Sequence, residues 1–159
     1  MGFGRRAIQW VADSDAARSF AIPFMHRLDG WLLEATGGKA SATEALLGLP
    51  IVTLTTVGAK SGKDRSSILT GIPDGGSTVV IASNFGQDHY PSWYYNLKAN
   101  PEARLSTGGS PAQAHHATVL EGAEWERVWD LVVWSYPGYA SYRQRTDRPI
   151  PLVRLVPSV

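Results

Sequence analysis

The chain has 159 residues, 43% hydrophobic and 18% charged, the size and composition of one globular domain. Fifteen Lys and Arg against fourteen Asp and Glu leave a net charge of +1, so no global field draws it to nucleic acid and any basic patch is local. The absence of cysteine excludes disulfides, thiol catalysis and thiolate-held zinc or iron–sulfur centres, and agrees with a cytoplasmic setting.

At the amino terminus, Arg5 and Arg6 precede an apolar run that Asp13 and Asp15 cut short, which argues against an export signal. Arg6 also stands where a myristoylation motif needs Ser or Thr, and no apolar run approaches the roughly eighteen residues of a membrane span. Phe3–Val11 reads as a short amphipathic helix with cationic and apolar sides. Its two readings are packing on its own domain and peripheral contact with the inner face of the cell membrane. Ile22, Met25, Leu28, Trp31 and Leu32 recur at helical spacing and predict a core-facing helix over Phe20–Ala35. A small polar connection, Lys39–Pro50, with one helical turn at Thr43–Leu47, leads to the first strand.

Ile51–Val57 is β-branched at nearly every position and Ser66–Ile72 reads as a second strand, so Val57–Arg65 is the turn between them. That turn sets Lys60, Lys63 and Arg65 against the single acid Asp64. Gly58 and Gly62 permit positive-φ backbone that could aim several N–H groups at one anion. The plainer reading is a hairpin with solvated lysines. It is not a nucleotide-hydrolase phosphate loop. Only three residues separate the glycines, Asp64 follows Lys63, and a strand follows where a helix is needed.

Pro73–Gly76 predicts a hairpin into a third strand, Thr78–Ala82, and Ser83–Tyr90 is a polar loop. Pro91 suits the first position of a helix over Ser92–Asn100, with Trp93 and Asn96 on one face. Glu102–Thr107 and Ala112–Leu120 are strands across Gly108-Gly109-Ser110. The helix Ala123–Trp134 carries Trp125, Val128, Trp129 and Val132 on a stripe that reads as core packing. Tyr136, Tyr139 and Tyr142 follow at intervals of three, then Arg143, Arg145, Asp147 and Arg148, and Ile150–Val156 is a last strand. About six strands and three or four helices without βαβ alternation give an α+β class with a mainly antiparallel sheet or barrel. His115 and His116 point to opposite strand faces, and His26 and His89 are isolated, so no metal site is expected. Gly58-Ala-Lys-Ser-Gly62 places its serine one position late for a hydrolase elbow.

Four blocks, Leu54–Arg65, Ala82–Gly86, Pro91–Pro101 and Tyr136–Tyr142 with Thr146–Arg148, resemble the deazaflavin-dependent nitroreductases and quinone reductases of actinobacteria. The resemblance implies a split β-barrel over residues 51–159 behind a helical segment at residues 1–50. It also implies hydride transfer from reduced coenzyme F-420 to a small-molecule acceptor: a quinone, nitro compound or activated alkene. Carried over by position, the anionic cofactor tail meets Ala59, Lys60, Ser61 and Arg65, while Ser66, Ser67, Ile68, Leu69 and Thr70 run beside the ring. Ile81, Ala82, Ser83 and Asn84 form one wall, and Ser92, Trp93, Tyr94, Tyr95 and Asn96 another. Tyr139 approaches the reactive edge as a proton or hydrogen-bond donor. Tyr136 and Tyr142 line the acceptor space, or all three rings form a packing cluster; Ser83 is a further donor or a turn cap. Ala59 stands where the family commonly has Arg, Thr70 where relatives often have an aromatic residue, and Phe85 and Tyr90 fill a loop that is often small. Two other readings remain: an FMN-dependent enzyme on the same barrel, and a non-catalytic carrier of a deazaflavin or lipid-like ligand.

Overall fold

The computed structural model describes residue 48 and residues 50–158; the predicted helices at Phe3–Val11 and Phe20–Ala35 and the helical turn at Thr43–Leu47 lie outside the described residues. Strands β1 (Ile51–Val57), β2 (Asp64–Asp74), β3 (Ser77–Ile81), β4 (Glu102–Thr107), β5 (Gln113–Val119) and β6 (Leu152–Pro157) close into a barrel. Every pairing is antiparallel, in the order β1-β2-β3-β6-β5-β4. Closure leaves no sheet edge open except where partners change. The helices are α1 (Ser92–Ala99), α2 (Gly122–Ser135) and α3 (Gly138–Gln144), with a short 3-10 turn at Asn84–Gly86.

Most predicted elements are present, with two differences at helix ends. Pro91 is the residue before α1, because its ψ of 150° is extended and the helix begins at Ser92. The tyrosine segment forms a helix of its own. Tyr136 is extended (φ −147°, ψ 103°), as the residue before a proline prefers, and this breaks the chain between α2 and α3. At the β2–β3 hairpin, Asp74 pairs with Ser77 around Gly75 and Gly76, both at positive φ, as a tight two-residue turn demands.

Strand alternation sorts the core into two layers. Val52, Leu54, Val80, Leu105, Ala117, Val153 and Leu155 face the barrel interior, where Trp93, Tyr94 and Leu97 of α1 join them. Their neighbours Ile72, Val79, Ile81 and Leu152 face outward and are covered by Val128, Trp129 and Val132 of α2 and by Tyr139 of α3. β3 is therefore apolar on both faces, and burying each such side chain contributes about 1.5–3 kcal/mol. Four charges hold α2 on the barrel. Asp74 of the hairpin accepts from Arg127 (2.8 Å) and Arg154 (2.7 Å), and Glu124 accepts from Arg154 (2.8 Å) and Arg127 (2.9 Å). The predicted stripe of α2 is core, with Trp125 stacked on Trp129 at 5.1 Å and its indole N–H donating to the Ile150 carbonyl at 3.0 Å. Among the described residues no helix is long and apolar enough to cross a membrane.

One detail of register positions the site. β2 pairs with β1 along Asp64–Thr70 but with β3 only along Gly71–Asp74. Among the described residues, the second edge of Asp64–Thr70 has no strand beside it.

Candidate active site

The turn joining β1 to β2 is folded by its own backbone. Gly58 N–H donates to the Lys63 carbonyl and Gly62 N–H to the Gly58 carbonyl, both at 2.8 Å, and Lys63 N–H donates to Ser61 Oγ at 3.3 Å. Of the two glycines only Gly62 takes positive φ (67°); Gly58 is required for space, since a Cβ there would lie 2.5 Å from Ser61 Oγ and 3.1 Å from the Lys63 carbonyl. The turn is braced from α1. Asn96, 8% exposed, accepts from Ala59 N–H at 2.9 Å and donates to Thr56 Oγ1 at 3.0 Å. The expected convergence of many N–H groups is therefore not what the turn provides. Those of Gly58, Ala59, Gly62 and Lys63 are committed, and among the described residues only those of Lys60 and Ser61 have no partner.

What the turn does present is charge. Asp64 is paired with Arg104 of β4, while Lys60, Lys63 and Arg65 are exposed and form no ion pair among the described residues. Three cations whose one neighbouring acid is already neutralised make a local cationic surface on a chain of nearly zero net charge.

Along β2, alternation puts Ser66, Ile68 and Thr70 on one face and Ser67 and Leu69 on the other, where Leu69 packs on the interior core. Ser66 Oγ lies 2.9 Å from Thr55 Oγ1 on β1. Thr70 meets α3, where it shares a hydrogen bond with the Tyr139 hydroxyl. Tyr139 is 8% exposed, and burial pushes its pKa up to about 12, with the Thr70 bond drawing it partly back. It is flanked edge-to-face by Tyr136 (5.6 Å) and Tyr142 (5.8 Å), both half-buried. The Tyr136 ring lies over Gly138, where a Cβ would come within 2.4 Å of it. The three tyrosines thus form a packed cluster whose central member holds its proton throughout the neutral range.

The predicted walls are divided. Trp93 and Tyr94 belong to the interior core, and burial raises the Tyr94 pKa; Ser92 and Tyr95 are exposed. Ile81 faces the α2 side and packs with Tyr139, whereas Ala82 faces the interior. Ser83 is buried, and Asn84 takes positive φ (44°), its amide donating to the His89 carbonyl at 3.0 Å. Sequence reasoning assigned no role to Arg148, which sits behind this wall. It donates to the carbonyls of Gln87 (2.7 Å), Ser83 (2.7 Å) and Ala82 (3.2 Å) and lies 4.6 Å over the Tyr90 ring. A separate cleft of about 680 Å³ opens between the start of α2 and residues 143–150. None of the predicted site residues lines it, and its lining sets Glu121, Glu126 and Asp147 against Arg143 and Arg148, so it lacks the unopposed positive charge of the turn. His115 is buried and His116 exposed on opposite faces of β5, and among the described residues no His, Asp and Glu cluster could hold a metal ion.

A family model described as F420H(2)-dependent quinone reductase matches residues 24–157. An F420H(2)-dependent quinone reductase of Mycobacterium tuberculosis is 35% identical over 114 residues, spanning 67% of this chain and 72% of that protein. Among solved structures, an F420-H2 dependent reductase (FDR-A) is 42% identical, with a TM-score of 0.60 over 67% of this chain and 93% of that one. A domain-swapped dimer is 38% identical, with a TM-score of 0.64 over 79% of this chain and 97% of that one.

Proposed function

Because the chain belongs to the F420H(2)-dependent quinone reductase family, we propose that it binds reduced coenzyme F-420 along the open edge of β2 and catalyses reduction of a quinone. The barrel is of the split type found in that family. The residues present fit the cofactor. A tail bearing a phosphodiester and carboxylates matches three unneutralised cations better than a single phosphate would, which favours the deazaflavin over FMN. When bound, this group supplies a hydride equivalent and little one-electron chemistry, so the protein's tasks are holding, orienting, shielding and proton management.

Lys60, Lys63 and Arg65 hold the tail, with the N–H groups of Lys60 and Ser61 as further donors. The open edge of Arg65–Thr70 offers backbone donors and acceptors to the polar margin of a flat ring, over roughly 16 Å of strand. Ile81–Asn84 and the segment that starts α1 bound the opposite side. At the far end, the neutral Tyr139 polarises the acceptor site, directly or through Thr70, where a quinone oxygen gains charge. Tyr136 and Tyr142 shape the acceptor space and exclude water.

One juxtaposition carries this reading: a stretch of β2 edge with no strand beside it among the described residues, a cationic turn at one end and a buried, proton-retaining tyrosine at the other. The test is titration of the purified protein with the deazaflavin and, separately, with FMN, followed by addition of menadione to the reduced deazaflavin complex. Saturable deazaflavin binding and rapid oxidation by the quinone are expected. Preference for FMN would overturn the cofactor, and tight binding without oxidation would leave a carrier.

A further inference from the structure

We propose that Arg148 is a positioning residue for this reaction: its guanidinium, held by backbone carbonyls and an aromatic face, sets the path of Ala82–Gln87 and so the orientation of the cofactor wall. The inference rests on the deazaflavin reading above and adds a residue outside the cofactor's own contacts.

The geometry is specific. Nη1 donates to the Ala82 carbonyl (3.2 Å) and the Pro149 carbonyl (3.2 Å), Nη2 to the Ser83 carbonyl (2.7 Å) and Nε to the Gln87 carbonyl (2.7 Å). Among the described residues no carboxylate pairs with it, so the charge is spent on neutral oxygens and on the Tyr90 ring. In an extended strand, successive carbonyls point to opposite edges. One planar fork gripping the carbonyls of Ala82 and Ser83 therefore ends β3 and bends the chain, and Ser83 accordingly takes a helical conformation (φ −72°, ψ −33°). Asn84 follows at φ 44°, the one non-glycine at positive φ among the described residues, a sparsely populated conformation that needs such an anchor.

The same side chain joins the other walls. Tyr90 beneath the guanidinium packs on Tyr94 (4.9 Å) and Tyr95 (5.9 Å) of α1. Arg148 itself lies just beyond α3, whose end abuts the loop: a Cβ on Gly86 would lie 3.3 Å from both the Tyr142 carbonyl and Arg145 Cβ. Arg148 thereby keeps the loop, α1 and the tyrosine helix in register. A lysine would keep the charge but not the flat, multi-donor fork.

The test compares R148K and R148M with wild type for deazaflavin Kd, for kcat and KM with menadione, and for Tm. The tail is anchored at the turn, so Kd is expected to move less than about threefold, while loss of ring orientation lowers kcat ten- to a hundredfold in both variants. The visible spectrum of the bound cofactor is expected to shift toward that of free cofactor. Wild-type kcat in R148K would overturn the proposal, as would losses of kcat and affinity that merely track the unfolded fraction. Should R148M not fold, R148K decides alone. Failure of the family reading shows separately, in a wild-type protein that neither binds nor oxidises the deazaflavin.

Discussion

Asn96 is where fold and ligand binding are most directly linked, because one buried amide braces the cationic turn against α1. Asn96→Ala leaves the Ala59 N–H without its protein partner and the buried Thr56 hydroxyl with only its long 3.4 Å bond to the Arg65 carbonyl. Water can reach the exposed Ala59, so about one buried group is left under-satisfied, and the variant should lose roughly 1–3 kcal/mol and about 3–10 °C in Tm. The turn also loses its preorganisation, and deazaflavin affinity is expected to fall about tenfold or more. Asn96→Asp separates the two effects. A carboxylate still accepts from Ala59, and the Thr56 hydroxyl can turn to it by giving up its long 3.4 Å bond to the Arg65 carbonyl, so the bracing bonds are kept and the stability lost is that of burying the charge. Its negative charge, however, offsets part of the attraction of Lys60, Lys63 and Arg65 for an anionic tail, by about 1 kcal/mol at low salt. The assay is thermal unfolding beside deazaflavin titration at two ionic strengths. A folded Asn96→Ala variant with wild-type affinity would refute the claim that the brace shapes the site.

Neutralising Lys60 and Lys63 together should weaken deazaflavin binding by roughly a hundredfold at low salt, less as salt rises, with kcat at saturation little changed; salt-independent loss would mean the lysines act otherwise. Tyr139→Phe removes the hydroxyl that meets Thr70 and should lower kcat about tenfold or more with little change in cofactor Kd, and unchanged turnover would remove it from the mechanism. The Arg127 and Arg154 guanidiniums hold the Asp74 carboxyl below its ordinary value and that of Glu124 down to about 2. Depressed folded-state values mean stability is present above the usual carboxylate range and is lost as pH falls from there toward about 2. Tm should drop over that window, and Asp74→Asn should start lower and lose less; an unchanged slope would mean the network does not couple to folding.

Local chemistry made the elements legible and left the pairings hidden. β-branched Ile51–Val57, Gly75-Gly76 and the 3.6-residue stripe of α2 announce themselves within a few residues. The order of strands does not, because β1 closes on β4 and β3 on β6 through contacts far apart in sequence. In sequence the turn reads as a charge cluster whose N–H groups could converge, but four of those groups are spent on its own carbonyls, on the Ser61 hydroxyl and on an amide 37 residues away. Gly58 shows how one residue type can serve two needs: the sequence offered positive φ, and the structure uses the missing Cβ. Arg148 was the least legible of all. It stands in the Thr146–Arg148 block that carries the family resemblance, but without a role, because three of its partners are backbone oxygens more than sixty residues upstream.

In the proposed site, the division of β2 between two neighbours would separate binding from chemistry. An edge that stayed paired along its full length would have no exposed backbone groups, and a β2 ending at Thr70 would have no β3 to carry Ile81–Asn84 alongside it. Because the strand continues through Gly71–Asp74 into its hairpin, the barrel can close while, among the described residues, the second edge of Asp64–Thr70 has no strand beside it. Its ends then differ electrically: exposed cations in high dielectric at the turn, a desolvated phenol at Thr70. Charge at the first end attracts an anion without reaching the reacting atoms. The neutral donor at the second gains strength from the same burial that denies it ionisation. Thr70 is the hinge between the two. It lies on the face of β2 shared by Ser66 and Ile68, and it contacts α3 through its hydroxyl. A residue without a hydroxyl there would leave the strand intact and the tail anchored, yet remove the bond that partly offsets the burial of the Tyr139 hydroxyl.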